Sequence, residues 1–309
     1  MRSLGSQDGF LLAPLTRGVY AKLQKLRPRR GGPRPQNATA QGSCMRRRSP
    51  SRDGLDSSDN RWTARTVRAL IAAFAAFSLS ACAGMTANKP EEVRRTWDRA
   101  VVLMKDDTLG VIAGRMTNPG IAWSMAKLEE ERSKRPVVVY LHGCTGLYWN
   151  EAPVLFQDLA ERGYIVVAPD SFARDYRPQQ CGAQNRWTAA ARFAEIRFAR
   201  EQLRQLDWAD QRYIFLVGGS EGGYYAGAYG GDGFKGRIIM SAPCWVGNND
   251  MSNTLAVWSR RDPWMQGIDC AQADRKLVLD SAEHNVLLLD ETAEAVFSFL
   301  RDQMAQGPS

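Results

Sequence analysis

Tyr213-Ile214-Phe215-Leu216-Val217-Gly218-Gly219-Ser220-Glu221-Gly222-Gly223 carries most of the architectural information in this chain. An apolar run without polar alternation enters a glycine-rich turn, and Tyr224-Tyr225-Ala226 follow at once. Such a run reads as a strand buried on both faces, as in a parallel sheet. The same signal recurs at Val137–Leu141, Tyr164–Ala168, Ile238–Met240, Leu255–Trp258 and Leu277–Leu279. Amphipathic stretches lie between the runs. Ala152–Arg162 carries Leu155, Phe156 and Leu159 on one side. Thr188–Leu206 sets Phe193, Ile196, Leu203 and Leu206 near helical spacing, with Arg and Glu opposite. Thr292–Met304 offers Val296, Phe297 and Leu300. Strands alternating with helices predict an α/β, doubly wound domain with a mostly parallel central sheet flanked by helices. Upstream, Glu91–Met104 reads as a helix, and Leu109–Met116 with Ile121–Leu128 as an antiparallel edge.

In such sheets ligands bind at the carboxyl ends of the strands. Gly218-Gly219-Ser220-Glu221-Gly222 is G-x-S-x-G between a strand and a helix, the context of a nucleophile elbow. Gly218 and Gly222 permit backbone approach that a Cβ would block, and the helix start faces developing negative charge. A serine needs a base. The chain has two histidines, His142 and His284. The order serine, acid, histidine that accompanies this turn selects His284 and leaves His142 a structural role. The acid is expected after the strand before the last. Asp262 stands there, with Asp250 and Asp269 as alternatives on flanking loops. The oxyanion hole is expected from the backbone N–H of Glu221 and from the loop His142-Gly143-Cys144-Thr145-Gly146, at Cys144. Cys144 could instead serve as a redox thiol. Gly230–Gly236 lacks the Gly-Lys-Ser/Thr of a phosphate loop, which argues against nucleotide binding.

The chain has 309 residues, 44% hydrophobic and 24% charged, which excludes wholesale disorder, collagen and a multi-pass membrane protein. Net charge is +8, but it is unevenly placed. Residues 1–81 hold 15 Lys+Arg against 4 Asp+Glu, and residues 82–309 hold 26 against 29. The basic character therefore belongs to the first quarter. Residues 1–60 are rich in Arg, Gly, Pro and Ser, a composition that cannot bury enough apolar surface to offset ordering entropy. They read as a disordered leader or as sequence ahead of the true start. The rival reading, a nucleic-acid-binding arm, lacks aromatic interleaving and a recognisable module.

Arg61, Arg65 and Arg68 precede the apolar run Ala69–Leu79, and Leu79-Ser80-Ala81-Cys82 follows. Positive charge, a short apolar run and small residues in that order define an export signal over 61–81. The run is too short to span a bilayer. The tetrad resembles the lipobox of bacterial lipoproteins. That resemblance implies cleavage before Cys82 and lipidation of its thiol, which would hold the protein on a membrane facing the periplasm or exterior. From Cys82 onward 228 residues remain, enough for one domain with a real core. Residues 82–135 are expected to form a tether, a helix and edge strands, and 136–309 the catalytic core. Beyond Cys44 and Cys82, four cysteines remain: Cys144, Cys181, Cys244 and Cys270. In an oxidising compartment, Cys144 would pair with Cys181 and Cys244 with Cys270, each pair on loops at one end of the sheet. Four free buried thiols are the alternative. No metal site is expected, because no zinc spacing occurs and only two histidines exist.

Leu141–Gly146, the run Arg162-Gly163-Tyr164-Ile165-Val166-Val167-Ala168-Pro169-Asp170-Ser171-Phe172, the serine turn and His284 together resemble the α/β-hydrolase superfamily, and within it the dienelactone hydrolase-like family. The likeness covers residues 136–304. It implies an eight-stranded, mostly parallel sheet and a triad that hydrolyses esters. Dienelactone hydrolases proper use a cysteine nucleophile, whereas residue 220 is serine, so a general esterase is the safer inference. Superfamily caps are inserted after the sixth strand. Residues 242–253 leave no room for one, and an open, shallow site follows. Tyr148, Trp149, Trp245 and Trp264 are candidate rim residues, or ordinary packing. The expectation is an exported serine hydrolase acting on small-molecule esters, without a cofactor or nucleic acid. A peptidase of the same fold and a non-catalytic binding lipoprotein are the rivals.

Overall fold

The computed structural model describes residues 89–147, 153–175, 186–229, 233–244, 250–268 and 270–307. The basic leader 1–60, the export signal 61–81, Cys44, Cys82, Tyr148, Trp149, Cys181, Trp245 and Asp269 lie outside these residues. The elements run in order α1 (Pro90–Asp98), β1 (Val101–Asp106), β2 (Gly110–Arg115), α2 (Pro119–Glu130), β3 (Arg135–Leu141), α3 (Pro153–Glu161), β4 (Ile165–Ala168), α4 (Arg186–Arg204), β5 (Ala209–Gly219), α5 (Glu221–Ala228), β6 (Gly236–Met240), β7 (Thr254–Ser259), β8 (Arg275–Leu279) and α6 (Asp290–Ala305). One eight-stranded sheet has the order β2-β1-β4-β3-β5-β6-β7-β8. β1 is antiparallel to both its neighbours, and every pair from β4 to β8 is parallel. This is the α/β-hydrolase fold.

The central strands explain why their sequences do not alternate. Val138, Tyr140, Phe215 and Val217 face a core closed by Leu155, Phe156 and Leu159 of α3 and Val296, Phe299 and Leu300 of α6. Val137, Val139, Leu141, Ile214 and Leu216 face the other core, closed by Ile196 and Leu203 of α4 and Tyr225 of α5. Both faces exclude water, so every position is apolar. A smaller cluster joins Ile239, Ala256 and Trp258 to Cys244, Met251 and Cys270.

The amino-terminal edge differs from its expectation. The helix over 91–104 ends at Asp98, and Val101–Asp106 is strand β1. Val101, Val102 and Leu103 pair with β2 on one side and β4 on the other, and this ladder overrides the helical spacing. The partner of β2 is β1, not 121–128, which lies inside α2. Asn118-Pro119 starts that helix. The Asn118 side chain accepts from the Gly120 N–H at 2.8 Å, and Pro119 sits at the first helical position. The sheet therefore begins well before residue 136.

The carboxyl ends of β3, β5, β6, β7 and β8 open on one side and present the loops that follow them. Residues 241–253 connect β6 to β7, too few for a separate cap.

Candidate active site

β5 runs out at Gly218-Gly219, and α5 starts at Glu221. Ser220 joins them with φ 54° and ψ −121°. A non-glycine residue rarely adopts that backbone conformation, and it survives only where the surroundings over-determine it. The surroundings here are specific. The Ser220 N–H donates to Met240 O at 2.8 Å, and Ser220 O accepts from the Tyr224 N–H at 3.0 Å. A Cβ on Gly218 would lie 2.2 Å from Gly222 O, and one on Gly222 would lie 1.9 Å from Leu141 O. The two glycines let the turn pack between α5 and the end of β3, and that packing holds the serine in its strained pose.

His284 stands on the loop after β8. Its carbonyl accepts from the Ser241 hydroxyl and from the Val286 N–H, which pins its backbone to the loop after β6. Its Nε2 is 2.9 Å from Ser220 Oγ, and its Nδ1 is 2.6 Å from Asp262 Oδ2. Asp262 is 0% exposed, and its other oxygen accepts from the Trp264 N–H at 2.9 Å. A carboxylate only accepts, so the imidazole carries its proton on Nδ1 and offers the Nε2 lone pair to the serine hydroxyl. Such a chain can take the hydroxyl proton, hold the resulting imidazolium, and return the proton to a leaving group. The structure thus brings Ser220, His284 and Asp262 together. Asp250 instead turns its carboxylate to Ser252.

The loop after β3 approaches the serine closely. A Cβ on Gly143 would stand 3.4 Å from Ser220 Cβ and 4.0 Å from Oγ. Cys144 is the next residue, so its backbone lies beside Ser220, as does that of Glu221 at the start of α5. Cys144 is disulfide-bonded. Cys244 and Cys270 form a disulfide between the loops after β6 and β7.

His142 is 1% exposed, and its two ring nitrogens engage Gly143 and Ser171. Its Nε2 accepts from the Ser171 N–H at 3.1 Å, so Nδ1 carries the proton and donates to Gly143 O at 2.7 Å. Arg192 and Glu195 lie among the Arg and Glu residues opposite the apolar side of α4, yet both are 1% exposed. They face Arg174, Ser171 and Glu221 beneath the serine turn. A helical period shows which residues share a side. It does not show whether a polar side faces water or buried partners. Beside them, burial pushes the Tyr225 phenol well above its usual range, and the Glu221 carboxylate adds to the shift. At the rim, Trp264 is 66% exposed, with its ring centre 6.2 Å from that of His284. Among the described residues no group of His, Cys, Asp or Glu could hold a metal ion.

A profile of the dienelactone hydrolase family matches residues 125–214. No match was found among curated protein sequences. Among solved structures, an acylaminoacyl peptidase of Pyrococcus horikoshii is similar at 17% identity and TM-score 0.39, over 55% of this chain and 37% of its own. The chain thus spans little more than a third of that peptidase. Est1E from Butyrivibrio proteoclasticus matches at 16% identity and TM-score 0.41, over 56% of this chain and 90% of its own. A ferulic acid esterase from Streptomyces cinnamoneus matches at 20% identity and TM-score 0.42, over 57% and 69%.

Proposed function

We propose that the chain is a serine hydrolase that cleaves carboxylic esters through an acyl-enzyme on Ser220. One observation carries this reading. A serine in a strained turn lies 2.9 Å from a histidine whose other nitrogen is 2.6 Å from a fully buried aspartate.

Ser220 Oγ attacks the ester carbonyl carbon while its proton passes to His284 Nε2. The carbonyl oxygen takes up negative charge and is met by the N–H groups of Cys144 and Glu221. Collapse of this intermediate breaks the bond to the alcohol oxygen, which leaves with the proton from His284. Water then attacks the acyl-serine, His284 accepts its proton, and the acid departs as Ser220 regains its hydrogen. Asp262 stays ionised throughout, holding the Nδ1–H and stabilising the imidazolium.

The leaving alcohol must sit beside His284, which protonates it. Trp264 stands on that side, so an apolar or aromatic alcohol is the preferred leaving group. An exposed indole of this kind suits a ligand contact better than solvent.

The export and anchoring part of the proposal rests on the sequence around Cys82. The Cys244–Cys270 disulfide supports an oxidising compartment. No helix among the described residues is long and apolar enough to cross a membrane. Attachment is assigned to lipid on Cys82 by the lipobox-like Leu79-Ser80-Ala81-Cys82, and Cys82→Ala is expected to release the protein from the membrane fraction.

A fluorophosphonate probe tests the chemistry. Wild-type protein is expected to label at Ser220, and Ser220→Ala to lose both labelling and ester hydrolysis. An unlabelled wild type, or a labelled Ser220→Ala, refutes the proposal. A matched panel of esters and peptide amides then separates an esterase from a peptidase.

A further inference from the structure

We propose that Arg192 is a positioning residue that sets the two oxyanion donors, the Cys144 and Glu221 N–H groups, relative to each other. The proposal rests on the serine-hydrolase reading of the site.

The guanidinium is 1% exposed, hydrogen-bonds through both terminal nitrogens and faces a carboxylate with its Nε. One terminal nitrogen donates to Glu195 at 3.0 Å and to the Ser171 hydroxyl. The other donates to His142 O at 2.6 Å. Nε lies 3.9 Å from a carboxylate oxygen of Glu221 and has no hydrogen-bond partner among the described residues. One rigid fork therefore hydrogen-bonds the loop after β3 and the loop after β4, and sets its Nε against the carboxylate of the residue that follows the nucleophile.

The path to the donors runs through peptide planes. The Gly143 carbonyl and the Cys144 N–H belong to one planar unit and point in opposite directions. Gly143 O is fixed by the His142 Nδ1–H at 2.7 Å. The His142 ring is fixed in turn by the Ser171 N–H at Nε2, 3.1 Å. Arg192 holds both members of that link, through the His142 carbonyl and the Ser171 hydroxyl. The same His142 carbonyl abuts the elbow, since a Cβ on Gly222 would lie 2.7 Å from it. On the far side, Arg192 faces the Glu221 carboxylate, and the Glu221 backbone carries the second donor.

Stability alone is a poor explanation for the cluster. Arg174, Arg192 and Glu195 are all buried, with Arg174 Nε donating to Glu195 at 3.2 Å. Such buried ion groups are often no more stabilising than apolar residues of the same shape. What a planar, multidentate guanidinium adds is directional constraint, which a lysine ammonium cannot reproduce.

The test uses Arg192→Lys and Glu221→Gln, with ester kinetics and the affinity of a trifluoromethyl ketone. In that inhibitor's adduct Ser220 Oγ bonds to the ketone carbon, the carbonyl oxygen becomes the oxyanion, and His284 takes the serine proton. A misplaced donor weakens the transition state and not the bound ester, so kcat falls while KM holds. For Arg192→Lys, kcat and ketone affinity are both expected to fall about 30-fold, below the full cost of deleting a donor, with KM within about threefold. Glu221→Gln keeps its backbone N–H and is expected to lose about fivefold in both, for the same reason. A folded Arg192→Lys with wild-type kcat, or with a raised KM and unchanged ketone affinity, overturns the positioning role. Should Arg192→Lys not fold, full kcat in Glu221→Gln overturns it instead. Wild-type protein that fluorophosphonate does not label sinks the hydrolase reading itself. Labelling with unchanged ketone affinity in both variants sinks the positioning role alone.

Discussion

The β1–β2 turn and the turn after β5 both place a residue at positive φ, and they do so by opposite means. In the hairpin the positive φ falls on Gly110, at 75°, and a Cβ there would meet nothing within 4 Å. Asp106 completes that turn by accepting from the Thr108 and Leu109 N–H groups at 2.9 and 3.0 Å. The conformation is nearly free for glycine and stores no strain. After β5 the positive φ falls on Ser220, while the glycines flank it. Their missing side chains let Leu141, Gly218 and Gly222 crowd the turn, and the crowding holds the serine in place. A turn that only reverses the chain spends its glycine on φ. A turn that presents a side chain uses its glycines for close approach and lets the presented residue carry the strain.

Gly222→Ala is the strongest way to break this contrast. A Cβ 1.9 Å from Leu141 O forces the elbow away from β3. Activity should be lost, with more than about 3 kcal/mol of destabilisation, at the upper end of overpacking costs. Urea unfolding and ester turnover measure both, and an active, stable Gly222→Ala would show that the crowding does not hold the serine. Trp264→Ala touches the rim and not the turn. It should lower kcat/KM for benzyl butyrate about tenfold and leave ethyl butyrate within about twofold, the scale of one aromatic contact. Equal losses for both esters would remove Trp264 from the leaving-group side.

Gly110→Ala meets open space and only a strained φ, so the expected cost is about 1–2 kcal/mol, with full activity. A larger cost, or a loss of kcat, would erase the difference between the two turns. Asp106 gives the smallest effect, and one that depends on pH. Burial pushes its carboxyl up, but the Thr108 and Leu109 N–H groups, the Ser124 hydroxyl and the Lys127 charge together hold it below the usual range. A carboxyl depressed in the folded state stabilises above its unfolded pKa, and that stability is lost as pH falls through the folded value. Asp106→Asn should therefore cost about 1 kcal/mol at neutral pH and progressively less below about pH 4. A cost independent of pH would assign the turn's stability to shape alone.

The serine turn was legible because a strand signal, a glycine pattern and a helix start coincide within a dozen residues. His284 was legible because only two histidines compete, and Asp262 because strand order points to its loop. The amino-terminal edge is not legible in the local pattern. Val101-Val102-Leu103-Met104 can continue a helical spacing, and pairing with β4, over sixty residues away, is what makes it strand. Arg192 and Glu195 carried no signal either, since charged residues on an amphipathic helix normally face water. Their partners Arg174, Ser171 and His142 lie on other elements.

From residues 213–223 and the spacing of apolar runs alone come the layered sheet, the candidate serine and the expected order of its partners. Local pattern suffices for these, because strand burial and turn chemistry are written within a few neighbouring positions. Tertiary contact settles which histidine reaches the serine, that His142 instead braces the loop beside it, and that Arg192 lies buried among carboxylates. Each of those depends on distances between segments far apart in the chain, and a charge or an imidazole takes its role from what surrounds it.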